Sequence, residues 1–457
     1  MKKALAFLVL LVILGAAGAW IWSGRQPAPV ITFNGPAFMG ARGVVDVSID
    51  TPRGALSALQ VTFEQDGKPT TLATLATPGA ELKQEGPDRL RVIAPATRKE
   101  IAALKSGDAK VTVHAERKVL RGMRTLTADA SRSLRVQLEP PRVSVLSTKH
   151  YINLGGAEFV VMKVTPADAS AGVRVGDVTY PAYPGTSVGI SDPTVRVAVF
   201  ALLYDQDLTT PIGVFAKDAA GNLATQPLDY TPFVKVFKRS NIEISDAFLQ
   251  RVVPAILQDS PDFASQVSDP NDLVAAFLKI NGDLRKKNAE EIASFAKQSA
   301  PEMLWRGRFQ QLGNSQVEAA FADHRTYMYK GKEIDQQVHL GFDLAVTSSV
   351  PVVAANNGKV VHASPLGIYG NCIIIDHGLG VQSLYAHLSS FDVKVGDTVT
   401  KGQQIGRSGM TGLAGGDHLH FTMLVNGNAV NAVEWWDQKW MEDRVLRKVR
   451  EAGGKVE

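Results

Sequence analysis

All of the nine histidines except His114 and His150 lie between His324 and His420, and such crowding in one segment suggests a metal or acid–base site. Two local patterns sharpen that reading. His339 and Asp343 stand four apart around Gly341; on a straight strand their side chains would be about 13 Å apart, and the glycine lets the backbone bend so that they converge. His418 and His420 are separated by Leu419, so on a strand both imidazoles face one way and the leucine turns to the core. A catalytic zinc needs three protein ligands and an open position for a water, whose pKa then falls from 15.7 to about 7. His339, Asp343 and one of the two paired histidines fill that count. The other, with a further histidine, would move protons or stabilise an oxyanion. Two histidines and a carboxylate suit iron as well as zinc.

The elements that must position these residues can be read from periodicity. The chain has 457 residues, room for two to four domains at roughly 100 to 200 residues each. From 27 to 141 it alternates apolar and polar residues in short stretches such as VVDVSID and KVTVHAERKV, which predicts a β-sandwich-like domain. A second β domain follows over 142–235, and its FAKDAAGNLAT stretch resembles the closing hairpin of bacterial immunoglobulin-like domains. Residues 236–300 read as a helical segment, with Ser245 as an N-cap and Leu273, Phe277, Leu278, Leu284 and Ile292 at helical spacing. Its charged residues, including Arg285, Lys286, Lys287, Glu290 and Glu291, read as a solvated face. Short strands and turns return over 301–437, and 438–457 reads as a basic amphipathic helix covering a surface. The expected class is thus mainly β: an N-terminal transmembrane helix, two β-sandwich-like domains, a helical linker and a C-terminal antiparallel sheet that carries the histidines.

Charge and cysteine content narrow the function classes. The net charge is only +4, from 49 Lys and Arg against 45 Asp and Glu, which gives no case for a nucleic-acid partner. Cys372 is the single cysteine, so neither an intrachain disulfide nor a Cys-based zinc site can form. It reads as a small buried residue within an apolar run. At the N-terminus, residues 1–26 hold Lys2 and Lys3 followed by an uncharged run from Ala4 to Trp22, whose 19 residues span roughly 28 Å as a helix. This predicts a single-pass inner-membrane anchor with the bulk of the chain in the periplasm. The alternative is a cleaved signal at Ala17-Gly18-Ala19, leaving a soluble periplasmic protein; the aromatics Trp20 and Trp22 favour the anchor.

Three motifs in order then give a family resemblance: His339, Gly341 and Asp343; Leu384 to Leu388 as L-Y-A-H-L; and His418 to Phe421 as H-L-H-F. Residues from about Phe321 to Trp436 resemble the lysostaphin-like, LytM-type zinc metalloendopeptidases, which hydrolyse peptide bonds in peptidoglycan. The resemblance implies zinc held by His339, Asp343 and His420, with His387 and His418 as the catalytic pair, and an antiparallel β-sheet groove that takes peptidoglycan peptide stems. Arg325, Tyr385 and His377 are further candidates to bind substrate: Arg325 could hold an anionic group, and His377 is also readable as a structural turn histidine. His324 and His362 read as surface or groove positions. Asp417, where the family often has proline, reads as a turn cap or as a carboxylate orienting an imidazole. The alternative function is a non-catalytic or latent LytM-type regulator that activates a cell-wall amidase, but such regulators usually lack the zinc ligands present here. The β domains could bind a protein partner or serve as a stalk. A V-x-x-G-D-x-V-x-x-G pattern at 393–402 resembles carrier hairpins yet lacks their modifiable lysine setting.

Overall fold

The computed structural model describes every residue except Met1, Arg53, Pro78, Val346 and Glu457. The chain is mainly β, as the alternation predicts. A helix spans Lys2–Gly24, and its Lys3–Gly24 portion is long and apolar enough to cross a membrane, a test that a signal sequence also passes. Contacts divide the chain into two units, Met1–Pro141 with Lys217–Leu223, and Arg142–Ala216 with Ala224–Glu457.

In the first unit a four-stranded sheet and a five-stranded sheet bury alternate residues such as Val47, Ile49, Val61, Phe63, Val92 and Val113 in one core. That is the sandwich expected from period-2 patterning.

The second unit does not separate into the segments expected from 142 onward. One continuous core runs from Phe159 and Phe200 through Trp305 and Phe309 to Tyr385, Phe421 and Trp435, so the second β domain and the C-terminal sheet are packed as one body. The C-terminal helical turns join it: Met441, Val445, Leu446 and Val449 are buried. Lys448 is buried too, its Nζ 2.7 Å from Glu158 Oε1 and 2.9 Å from the Phe159 carbonyl.

The C-terminal sheet has eight strands, seven of them in the order Gln316–Ala319, Phe342–Ala345, His418–Val425, Val381–Leu388, Asn371–Gly378, Gly358–Pro365 and Thr398–Val399. Its strands have two differently covered faces. On one, Leu419, Phe421 and Met423 enter the large core; on the other, Leu384, Ala386 and Leu424 pack with Ile292 of the helical segment. That segment begins with a helix over Asp246–Asp259, capped by Ser245, whose side chain accepts from the Phe248 N–H. Helices Leu273–Lys279 and Arg285–Phe295 flank a π-turn at Ile280–Leu284. The segment also holds a strand that the helical reading missed: Arg239–Ile244 runs parallel to Asp323–Tyr329, which pairs antiparallel with Lys332–His339.

Candidate metal centre and active site

His339 ends the Lys332–His339 strand and Asp343 lies in Phe342–Ala345, so the chain changes sheets between them. Asp343 is paired across from His420, and Ala345 across from His418. The result brings His339 Nε2 to 2.9 Å and His420 Nδ1 to 3.0 Å of Asp343 Oδ1, with the two imidazole nitrogens 3.0 Å apart. Gly341 is needed for space: a Cβ there would lie 2.5 Å from His420 Cε1 and Nε2.

The donor set fits a metal ion. The ligating atoms lie within 4.8 Å of one another, and each imidazole is turned by a partner on its far side. His339 Nδ1 faces the Ala320 carbonyl at 3.3 Å. His420 Nε2 lies 3.0 Å from Thr422 Oγ1, whose hydroxyl donates to the Leu340 carbonyl. Those far nitrogens therefore carry the protons, and the lone pairs of His339 Nε2 and His420 Nδ1 point inward, as metal ligation requires.

His387 reaches this cluster by a backbone device. Val381, Ser383 and Tyr385 face the large core, and simple alternation would send His387 there too. Between Tyr385 and Leu388 the strand carries an extra residue against its neighbour, and His387 has φ 61°. This bulge in the left-handed region turns its imidazole to the opposite face. There it packs 4.9 Å from the His418 ring and 5.7 Å from that of His420. His387 Nδ1 faces the Thr411 carbonyl at 2.8 Å and His418 Nδ1 the Gly416 carbonyl at 2.9 Å, leaving both Nε2 atoms toward the cavity. Burial and the facing His418 and His420 hold His387 well below its ordinary pKa. For His418, burial is outweighed by hydrogen bonding to Asp343, which raises it.

The three remaining candidates differ in placement. Arg325 lines the cavity, but its Nη2 donates to Asp343 Oδ2 at 2.8 Å and its Nε lies 3.6 Å from Asp323 Oδ2, so it braces the Asp343 carboxylate. Tyr385 and His377 lie away from the cavity in the large core. His377 Nδ1 faces the Asn357 carbonyl at 2.7 Å and its Nε2 is 2.7 Å from Ser383 Oγ, which lies 2.9 Å from the Tyr385 hydroxyl. Tyr385 in turn accepts from the Ala355 N–H. They form a buried network that ties loops to the back of the sheet, which leaves no surface for substrate. Asp417 takes the turn role, accepting from Ser349 N, Ser348 Oγ and Ser408 Oγ. His362 is buried beneath Phe295, not at a groove, and His324 stacks edge-on near Tyr204.

The cavity measures about 210 Å³. The histidine cluster forms one wall, and Ile244, Phe248, Phe277 and Arg285 of the helical segment form another. Arg285 was expected on a solvated face; the π-turn and the packing of the segment against the sheet bring it to the site instead. Thr422 was not singled out, although its place two residues beyond His420 in the same strand puts it on the same face. Tyr369, whose ring lies 5.5 Å from that of His420, had no sequence signal.

A buried cluster of two histidines and a carboxylate beside a second histidine pair, on an antiparallel sheet, defines a metallopeptidase-type domain. Residues 337–432 match the model of Peptidase family M23, and the chain carries an M23 domain of the LytM and lysostaphin type. Among curated proteins, it is 37% identical over 118 residues to "Uncharacterized metalloprotease" of Haemophilus influenzae, covering 26% of this chain and 24% of that protein. It is 41% identical over 97 residues to "DD-carboxypeptidase/endopeptidase Mpg" of Neisseria meningitidis serogroup B, covering 21% and 22%. With "Peptidoglycan DD-endopeptidase ShyA" of Vibrio cholerae it shares 30% over 161 residues, covering 35% and 34%. The matched stretches thus span about a quarter to a third of these relatives' lengths.

Proposed function

We propose that the protein is an exported zinc-dependent endopeptidase that hydrolyses peptide cross-links of peptidoglycan, at D,D-bonds. The observation that carries this is the meeting of His339, Asp343 and His420 with His387 and His418 in one cavity, with every far-side imidazole nitrogen committed. The relatives named as DD-endopeptidases support the substrate class.

His339, Asp343 and His420 would hold the zinc, which when bound would supply Lewis acidity and a water nucleophile at neutral pH. The protein's own groups do the rest. His387 Nε2, neutral and aimed inward, takes a proton from the water as its oxygen bonds to the amide carbon. His418 stabilises the oxyanion that develops. The C–N bond then breaks, and the proton passes to the leaving amine. Arg325 keeps the Asp343 carboxylate in place throughout. The N-terminal helix anchors the chain in the inner membrane, the remainder lies in the periplasm, and the β domains offer surfaces for a protein partner. The amidase-activating alternative is less supported, since no ligand position is substituted.

The test is product analysis of cross-linked wall peptides digested with zinc, with chelator and by His420→Ala. Zinc-dependent loss of dimers that disappears in the variant supports the reading; zinc binding without cleavage in any condition would overturn it.

A further inference from the structure

Two guanidinium groups line the cavity, and only one is spent. Arg325 is bonded to Asp343. Arg285 has no carboxylate within ion-pair distance among the described residues, although Glu243 lines the same cavity. Yet it is held in place: its Nε donates to the Asn281 carbonyl at 3.1 Å and its Nη2 to Asn281 Oδ1 at 2.5 Å. Asn281 is itself fully buried, and its Nδ2 donates to Asp335 Oδ2 at 2.7 Å, on the strand that ends at His339. A half-buried arginine oriented through a buried amide has lost much of its rotamer freedom before any ligand arrives, so less entropy is lost on binding an anion. The walls beside it, Phe248, Phe277 and Tyr369, are aromatic, which strengthens a charge-assisted hydrogen bond by lowering the local dielectric.

We propose that Arg285 is the anion subsite of this active site and selects peptides with a free carboxylate adjacent to the scissile amide. This rests on the endopeptidase reading. The cavity is small, so a carboxylate held by Arg285 belongs to the residue that flanks the bond at the histidine cluster. In a D-alanyl–diaminopimelyl cross-link, the carbon bearing the scissile nitrogen carries such a carboxylate.

The experiment uses the full chain in detergent with zinc and two synthetic cross-linked peptides, one with that carboxylate free and one with it amidated. Wild type is expected to prefer the free acid by about tenfold or more in kcat/KM, the size of one charge-assisted hydrogen bond. Arg285→Gln should abolish the preference, mainly through KM; Arg285→Lys should retain part of it, and Glu243→Gln should keep it. Equal cleavage of both peptides by wild type, or an equal loss on both in Arg285→Gln, would overturn the subsite. If wild type cleaves neither, the endopeptidase reading fails, and calorimetric binding of the same two peptides decides the subsite: preference for the free acid that is lost in Arg285→Gln supports it, and equal binding refutes it.

Discussion

Arg325 Nη2 lies 2.8 Å from Asp343 Oδ2 while Asp343 Oδ1 faces His339 and His420. The carboxylate is thus divided, with one oxygen toward the two imidazoles and one for the arginine, which leaves the first oxygen for the proposed metal. Removing such a brace typically costs about 10–100-fold in metal affinity. Arg325→Ala should therefore weaken zinc binding by about that factor, with Arg325→Lys recovering part, as read by competition with a chromophoric chelator. Unchanged affinity in the alanine variant would remove the bracing role.

Gly341→Ala places a methyl group against the His420 ring and Thr422 Oγ1. The ring is held on both sides, so the expected result is loss of zinc stoichiometry in the purified protein, with the fold retained by circular dichroism. Full zinc occupancy would show that the site can yield.

His387→Ala should retain zinc, since His387 is outside the proposed ligand set, while peptide hydrolysis falls by about 10²–10⁴ for loss of the proposed general base. Metal analysis beside the rate separates the two roles. Loss of both together would instead make His387 a ligand.

Lys448 and Glu158 form a fully buried ion pair, 290 residues apart in sequence. Truncating one partner of a buried pair typically costs about 3–5 kcal/mol, and for Lys448→Ala the Arg444 Nε, 4.0 Å from Glu158 Oε2, offsets part of that loss. Lys448→Ala should lower the urea midpoint reported by the fluorescence of the buried Trp305 and Trp435, whereas Lys448→Ala with Glu158→Ala should lower it less than the sum of the singles.

His150 is pushed down to about 4, chiefly by burial and then by the charge of Lys448. The folded state therefore holds fewer protons than the unfolded state between that value and the ordinary 6.5. Stability from this group is complete above pH 6.5 and falls as pH drops toward 4. Between pH 7 and 4.5 the loss should be about 2 kcal/mol smaller in His150→Gln. An identical pH dependence in urea denaturation would show that His150 does not carry it.

The meeting of His339, Asp343 and His420 was legible because its determinants are local. A strand repeats every two residues, so His418-Leu419-His420 fixes two side chains on one face wherever the strand lies. The spacing of His339 and Asp343 around Gly341 holds them within reach, although the glycine proved necessary for clearance from His420 more than for bending. The sandwich of the first unit was legible for the same reason. The faces of Tyr385 and His387 were not. They are two apart and should agree, and only a bulge, set by pairing with the neighbouring strand, turns one to the cavity and leaves the other in the core. His377 went to the back of the sheet because its partners Asn357 and Ser383 lie on other segments. Likewise, nothing near Arg285 distinguishes it from its charged neighbours Lys286 and Lys287. The sequence by itself determined which residues could hold a metal; tertiary pairing and packing decided which others reach it, because a side chain's direction beyond its own strand depends on what that strand is bonded to.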